Sequence, residues 1–176
     1  MEEVRGVSRF LRPERYCSSV LSLDPRRLAQ QGVKALLFDL DNTILARGES
    51  GFRPEIRAWI DGVRACGLEC FIVSNSAKPR VRAKARELSW GYVENAHKPF
   101  SSGCLRAASQ LQLAPEQCLM VGDQSWTDVL GAHNAGMPCA LVQPLGPQDL
   151  WYTRILRVID RFATLGMVPE PPLREA

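Results

Sequence analysis

Ala35-Leu36-Leu37-Phe38-Asp39-Leu40-Asp41-Asn42-Thr43 is an apolar run that enters from Val33 and stops at two aspartates one residue apart. The run is short, lacks Pro and Gly, and follows Gly32, which predicts a buried strand of a parallel sheet. Side chains alternate along a strand, so Asp39 and Asp41 are expected to share a face at its carboxyl end. That is the end at which open α/β sheets place their chemistry. Two like charges this close repel unless a cation sits with them, which implies a hard divalent metal, Mg²⁺ first. A loop rich in turn residues is the plainer reading of the same five polar-ended residues.

Working outward, three more segments bear on that choice. Phe71-Ile72-Val73-Ser74-Asn75-Ser76 is an apolar run ending in a hydroxyl and an amide. Lys98 stands in His97-Lys98-Pro99, between a short predicted strand and a helix. Leu119-Met120-Val121-Gly122-Asp123, followed by Gln124 to Asp128, is a third apolar run ending in carboxylates. Strands alternating with helices give a parallel sheet covered on both faces, joined by right-handed crossovers. The predicted helices start at Pro25 (capped by Asp24), Pro54, Lys78, Ser101, Thr127 and Gln148. The last of these runs to about Thr164, with Trp151, Ile155, Val158, Ile159 and Phe162 on one stripe that should pack on the sheet. In the helix from Lys78, the basic residues Arg80, Arg82, Lys84 and Arg86 read as a solvated face.

In this order and at these spacings the four segments resemble the haloacid dehalogenase (HAD) phosphohydrolases, and more narrowly the YqeG-type phosphatases of HAD subfamily IIIA. Those are related to mitochondrial and plastid phosphatidylglycerophosphate phosphatases. The closer likeness rests on Leu11-Arg12-Pro13 with Tyr16, Asp39 to Thr43, Ser74-Asn75, Lys98-Pro99, and Gly122-Asp123-Gln124 through Thr127 to Gly131 and on to Met137. The resemblance implies an α/β, HAD-type Rossmannoid fold. Its parallel sheet would have five strands in the order 5-4-1-2-3, with helices on both faces and no cap domain. The expected organisation is an N-terminal arm over residues 1–22, a phosphatase domain over 23–166 and an irregular tail over 167–176.

The resemblance also supplies roles. Asp39 is the expected nucleophile and Asp41 the general acid and base. Ser74, Asn75 and Lys98 are the expected phosphate contacts. Asp39, Asp123 and the Asp41 main-chain carbonyl are the expected Mg²⁺ ligands, with Asp128 behind them, ligating through water or orienting Asp123 or Lys98. Phosphate-monoester hydrolysis is slow enough uncatalysed that a carboxylate nucleophile, splitting it into two steps, is chemically apt.

Spacing narrows the substrate. The intervals from Asp41 to Ser74 and from Ser74 to Lys98 are too short to hold a cap, so the site should be open. An open site suits a large substrate, with phosphatidylglycerophosphate leading by resemblance and a soluble sugar or nucleotide phosphate as the alternative. A phospho-aspartate signalling domain uses similar residues, but there the acceptor aspartate follows an acidic pair, whereas here the order is reversed.

Composition excludes some classes. The 176 residues carry a formal net charge of +3, too little to argue for nucleic acid. No apolar run reaches the ~18 residues of a membrane span. There are six cysteines, no Cys-x-x-Cys pair and only two histidines, which argues against a zinc site and for a reduced, cytoplasmic protein. Peripheral contact with an anionic membrane face is expected through Arg154, Arg157 and Arg161 of the last helix and the arm residues Arg5, Arg9, Arg12 and Arg15. Solvation, or pairing with acids such as Asp160, is the other reading of those arginines.

Overall fold

The computed structural model describes residues 10–76, 79–146 and 151–173, with side chains described from 156 onward in the last helix. Expectations for Arg5, Arg9, Lys78 and Gln148, and for the side chains of Trp151, Arg154 and Ile155, fall outside those residues. The strands are β1 (Arg15–Cys17), β2 (Ala35–Phe38), β3 (Glu69–Val73), β4 (Gly91–Val93), β5 (Cys118–Gly122) and β6 (Cys139–Val142). The helices are α1 (Pro25–Gln30), α2 (Pro54–Ala65), α3 (Pro79–Leu88), α4 (Ser102–Gln110), α5 (Leu130–Asn134) and α6 (Trp151–Ala163). A π-helical turn, Ser125–Val129, leads into α5.

All strand pairs are parallel, in the order β1-β6-β5-β2-β3-β4. The five strands expected from Val33 onward keep the predicted order. The correction is a sixth: Arg15–Cys17 of the N-terminal arm adds itself to the edge beside β6. Its outer side is covered in turn by the C-terminal segment. Ser18 N–H donates to the Glu170 carbonyl at 2.9 Å, Glu170 N–H donates to the Tyr16 carbonyl at 2.8 Å, and the Glu170 carboxylate pairs with Arg15. An edge strand covered this way no longer presents unpaired backbone groups.

Both sheet faces are buried, as the continuous apolar strands require. Leu36, Phe38, Ile72 and Val121 pack towards α2 and α3, which contribute Ile56, Ile60, Val63, Val81 and Ala85. Phe38 stacks on Trp90 with ring centroids 5.3 Å apart and meets Trp59 edge-on at 6.0 Å. On the other face Ala35, Leu37, Val73 and Met120 meet Cys104, Ala107 and Ala108 of α4 and Ala132 of α5. Small residues dominate there, so α4 and α5 can lie close to the sheet. Gly103 marks the tightest approach, since a Cβ on it would fall 2.5 Å from the Ala96 carbonyl oxygen. Leu105, expected inward on α4, is exposed.

The last helix departs most from its predicted packing. Val158 and Phe162 are 52% and 69% exposed, while Arg157, Asp160 and Ala163 face the domain. Among the side chains described from 156 onward, Arg157 and Asp160 turn inward to the carboxylate-rich end of β5 and the π-helical turn. No segment is inserted as a cap among the described residues: α2 alone fills the interval between β2 and β3, and α3 that between β3 and β4.

Candidate active site

Strand register assembles the site. Phe38 lies opposite Ile72 on β3 and Val121 on β5, so Asp39, Val73 and Gly122 reach the same level at the carboxyl ends. The Asp39 N–H extends the ladder to the Val121 carbonyl at 2.9 Å. One residue further on, β3 delivers Ser74 and β5 delivers Asp123. Into this end reaches Lys98, whose side chain is 1% exposed.

The Lys98 ammonium has three acceptors and three protons to give. Nζ donates to Asp39 Oδ1 at 2.8 Å, to Asp128 Oδ1 at 2.7 Å and to the Val73 carbonyl at 2.8 Å. Burial alone would lower its pKa, but the carboxylates of Asp128 and Asp39 outweigh that and raise it, so the charge is retained. Asn75 holds the lysine's main chain from both sides: Nδ2 donates to the Lys98 carbonyl at 2.9 Å, and Oδ1 accepts the Lys98 N–H at 2.7 Å. The amide expected to face phosphate is therefore engaged in fixing Lys98. Ser74, buried, accepts the Ser76 N–H on Oγ at 3.1 Å, and its hydroxyl proton is left to donate.

Asp128 is 2% exposed, and its second oxygen accepts the Gln124 N–H at 3.1 Å. The π-helical turn puts it there, one device by which helices re-aim a side chain at a functional site. Gly122 makes the room: a Cβ on it would lie 2.2 Å from Asp128 Cγ. Of the partners left open by sequence, Asp128 is bonded directly to Lys98.

Asp123 is also 2% exposed. Arg157 of α6 donates to its Oδ2 at 2.6 Å and to its main-chain carbonyl, and pairs with Asp160 at 3.2 Å. Asp160 in turn accepts the Ser125 N–H at 2.6 Å, which ties α6 to the π-helical turn. The basic face proposed for membrane contact thus loses Arg157, which points inward, whereas Arg161 is exposed. The other oxygen of Asp123, Oδ1, is buried and has no hydrogen-bond partner. Burial, then the charges of Asp128 and Asp39, push the Asp123 carboxyl up to about 8. Asp39 is pushed up to about 6, by burial first and against the pull of Lys98. Asp123 and Asp128, both buried, and Asp39, whose side chain is 16% exposed, share two cations here, Lys98 and Arg157. An unpartnered carboxylate oxygen in such a surplus of negative charge fits a divalent cation.

Asp41 stands at the rim. Arg80 of α3 donates to its Oδ1 at 2.7 Å and also holds the Ala46 and Glu49 carbonyls, each at 3.2 Å, while Arg47 lies 3.9 Å from its Oδ2. Arg80 is thus not part of a solvated face. Beside Asp123, a cleft of about 360 Å³ opens between β6 and α6, lined by Tyr16, Leu141, Gln143, Arg157, Val158 and Arg161.

Of the residues expected from the sequence, the structure brings together Asp39, Ser74, Asn75, Lys98, Asp123 and Asp128, and it stands Asp41, expected beside Asp39, at the rim. Sequence reasoning missed Arg80 and Arg157. Their signal was no stronger than that of any other arginine on an amphipathic helix.

Comparison with known proteins agrees with this geometry. The sequence profile of the HAD-hydrolase-like family matches residues 95–144, the segment carrying Lys98, Asp123 and Asp128. The chain is 30% identical over 155 residues to a protein of Bacillus subtilis (strain 168) named probable phosphatase YqeG, covering 88% of this chain and 90% of that one. It is also 30% identical over 142 residues to the chloroplastic phosphatidylglycerophosphate phosphatase 1 of Chlamydomonas reinhardtii. That match covers 76% of this chain, which spans only 53% of the algal protein. Among solved structures, the cobalt-bound deoxy-D-mannose-octulosonate 8-phosphate phosphatase of Haemophilus influenzae superposes with a TM-score of 0.51. It is 15% identical and covers 66% of this chain and 70% of its own, a likeness of fold.

Proposed function

The chain belongs to the YqeG-type phosphatases of the HAD superfamily and is a phosphomonoester hydrolase, and from that premise we propose that it works with Mg²⁺, through an aspartyl-phosphate on Asp39, on a lipid-borne phosphate monoester, phosphatidylglycerophosphate first. The observation that carries the mechanism is the buried Asp39–Lys98–Asp128 cluster beside an Asp123 oxygen with no partner.

Lys98 holds Asp39 through Oδ1, which leaves Oδ2 to attack phosphorus. As that bond forms, the bond from phosphorus to the leaving oxygen breaks, and Asp41 supplies the proton the leaving alkoxide needs. Asp41 then takes a proton from water as the water oxygen attacks phosphorus. This step releases inorganic phosphate and restores the Asp39 carboxylate. Ser74 Oγ is the donor left for a transferring phosphoryl oxygen, and Lys98 Nζ supplies positive charge from beside Asp39. Asp39, Asp123 and the Asp41 main-chain carbonyl would hold Mg²⁺, which when bound neutralises charge on the phosphoryl oxygens. Arg157, bonded to Asp123 Oδ2, keeps Oδ1 aimed at that cation.

Support for a lipid substrate comes from the absence of a cap among the described residues, the chloroplastic relative, and the cleft beside Asp123. There the apolar walls Leu141 and Val158 stand next to Arg157 and Arg161. The test is a panel of phosphatidylglycerophosphate in mixed micelles, sugar phosphates, nucleotides and nitrophenyl phosphate, with Mg²⁺ and with EDTA, beside Asp39→Asn. The reading expects the lipid to lead in kcat/KM, EDTA to stop turnover, and Asp39→Asn to lose several orders of magnitude in kcat. A soluble phosphate preferred over the lipid would overturn the substrate, and Asp39→Asn with substantial activity would overturn the nucleophile.

A further inference from the structure

Glu14, His133 and Cys139 converge at the end of the sheet opposite the catalytic groups. Glu14 precedes β1, His133 lies in the last turn of α5, and Cys139 opens β6. His133 Nε2 is 3.3 Å from Glu14 Oε2, Cys139 Sγ is 3.1 Å from the same oxygen, and Sγ and Nε2 are 3.5 Å apart. These are the edges of one small triangle of oxygen, nitrogen and sulfur.

From this triangle we infer a second metal site, a three-ligand Zn²⁺ site formed by Glu14 Oε2, His133 Nε2 and Cys139 Sγ, with its fourth position open to solvent. Metal–ligand lengths of about 2.0 Å for oxygen and nitrogen and about 2.3 Å for sulfur, at tetrahedral angles, require ligand separations of roughly 3.3 Å between N and O and roughly 3.5 Å to S. The observed triangle needs shifts of only a few tenths of an ångström to meet them.

Two further contacts orient the ligands as metal sites do. His133 Nδ1 lies 2.7 Å from the Phe10 carbonyl. A carbonyl brings no proton, so Nδ1 carries one, and Nε2 is the ring atom turned towards Glu14 and Cys139, free to ligate once it gives up any proton it shares with Glu14. The Cys139 N–H donates to Glu14 Oε2 at 2.8 Å and fixes the carboxylate. Without a cation between them, the Nε2 lone pair and the carboxylate oxygens face each other at 3.1 and 3.3 Å, which only an added proton on Nε2 would otherwise relieve. Metal binding replaces that arrangement. The Cys139 thiol loses its proton to solvent, any proton on Nε2 leaves with it, and bonds form from Zn²⁺ to S, N and O.

Mixed N, O and S donors select a borderline-soft ion over Mg²⁺. A groove lined by Phe10, Arg12, Pro13, Glu14, His133 and Met137 opens beside the ligands and would admit the ion with a fourth, water ligand. Ligands 14, 133 and 139 are too scattered for a spacing motif, which is why the two-histidine sequence argued against zinc. Bound there, the ion would fasten the segment entering edge strand β1 to the turn between α5 and β6.

The experiment titrates full-length, chelator-stripped protein with Co²⁺ in excess Mg²⁺, then displaces Co²⁺ with Zn²⁺, and measures Zn²⁺ affinity by competition with a chromophoric chelator. A thiolate-to-Co²⁺ charge-transfer band should appear and vanish on adding Zn²⁺. Cys139→Ser should abolish it. Glu14→Gln and His133→Gln should weaken Zn²⁺ at least tenfold and remove the rise in Tm that Zn²⁺ gives the wild type. Glu14→Gln, at a half-exposed position far from Asp39, should keep its phosphatase activity with Mg²⁺ and so shows that the variant is folded. No thiolate band in the wild type, a band that survives Cys139→Ser, or equal Zn²⁺ affinity in wild type, Glu14→Gln and His133→Gln would each overturn the site.

Discussion

Lys98 is the residue on which the catalytic end depends most, because it is a buried cation whose three protons all go to protein acceptors. Replacing it with methionine keeps the chain length but leaves Asp39 and Asp128 buried without their partner. Breaking a buried ion pair from one side costs about 3–5 kcal/mol, so Lys98→Met should lower stability in urea by that order as well as abolish turnover. Arg82→Met is the control. Its guanidinium is half exposed and pairs with Glu94 at 2.7 Å, and its loss should leave stability and kcat nearly unchanged. Comparable, small effects from both would remove Lys98 from the site. Asp41 calls for a different measurement. If it protonates the leaving oxygen, Asp41→Asn should slow alkyl phosphates far more than nitrophenyl phosphate, whose leaving group needs no proton. An equal loss on both would make Asp41 a structural anchor for Arg80. Asp39 and Asp41 were legible because an apolar run has no reason of its own to stop at two carboxylates, whereas Lys98 follows no such run and was legible only through the family resemblance. Arg80 and Arg157 were not, since an arginine on a helix gives no sign of which way it turns.

At the scale of elements, the strands were readable from apolar runs, while β1 was not. Arg15-Tyr16-Cys17 is three residues long, starts with a charge and has no alternation to mark it. It is a strand because β6 and Glu170 flank it, which is tertiary information. The last helix shows the opposite failure. Its apolar stripe was plain, but the stripe identifies the packed face only if that face meets an apolar partner. Here α6 meets Asp123 and the π-helical turn, and Arg157 and Asp160 make the contact instead. If Asp123 holds Mg²⁺ as proposed, the helix bears on metal binding. Arg157→Gln removes the donor that holds Asp123 Oδ2 and should raise the Mg²⁺ concentration for half-maximal activity about 10- to 100-fold, the usual effect of losing a partner behind a ligand. Its kcat at saturating Mg²⁺ should largely recover, whereas that of Asp123→Ala should recover only in part. An unchanged Mg²⁺ requirement in Arg157→Gln would mean that α6 merely covers the site.

For the whole molecule, the lipid substrate proposed above raises the question of how the catalytic end would meet a phosphate held in a bilayer. No helix among the described residues is long and apolar enough to cross one. Arg157 cannot serve a membrane surface while it holds Asp123, and Arg15 is taken by Glu170, so the basic face is smaller than the sequence suggested. The same helix instead exposes Val158 and Phe162 beside Arg161, and Trp126 of the π-helical turn is 42% exposed. The catalytic groups and this surface lie at the same, carboxyl end of the sheet. Apolar side chains entering the headgroup layer, with a nearby arginine worth about 1 kcal/mol on an anionic surface, would bring that end to the lipid. Binding should then depend on both terms and be only partly released by salt. We expect the protein to co-sediment with anionic vesicles and less with neutral ones. Phe162→Ser with Arg161→Gln should cut turnover of vesicle-borne phosphatidylglycerophosphate at least tenfold while sparing nitrophenyl phosphate, because neither residue touches Asp123 or Lys98. A triple change that included Arg157 could not separate docking from metal binding. Should the double variant lose both activities alike, or bind anionic vesicles as the wild type does, docking through α6 is wrong and the lipid must be delivered in another way.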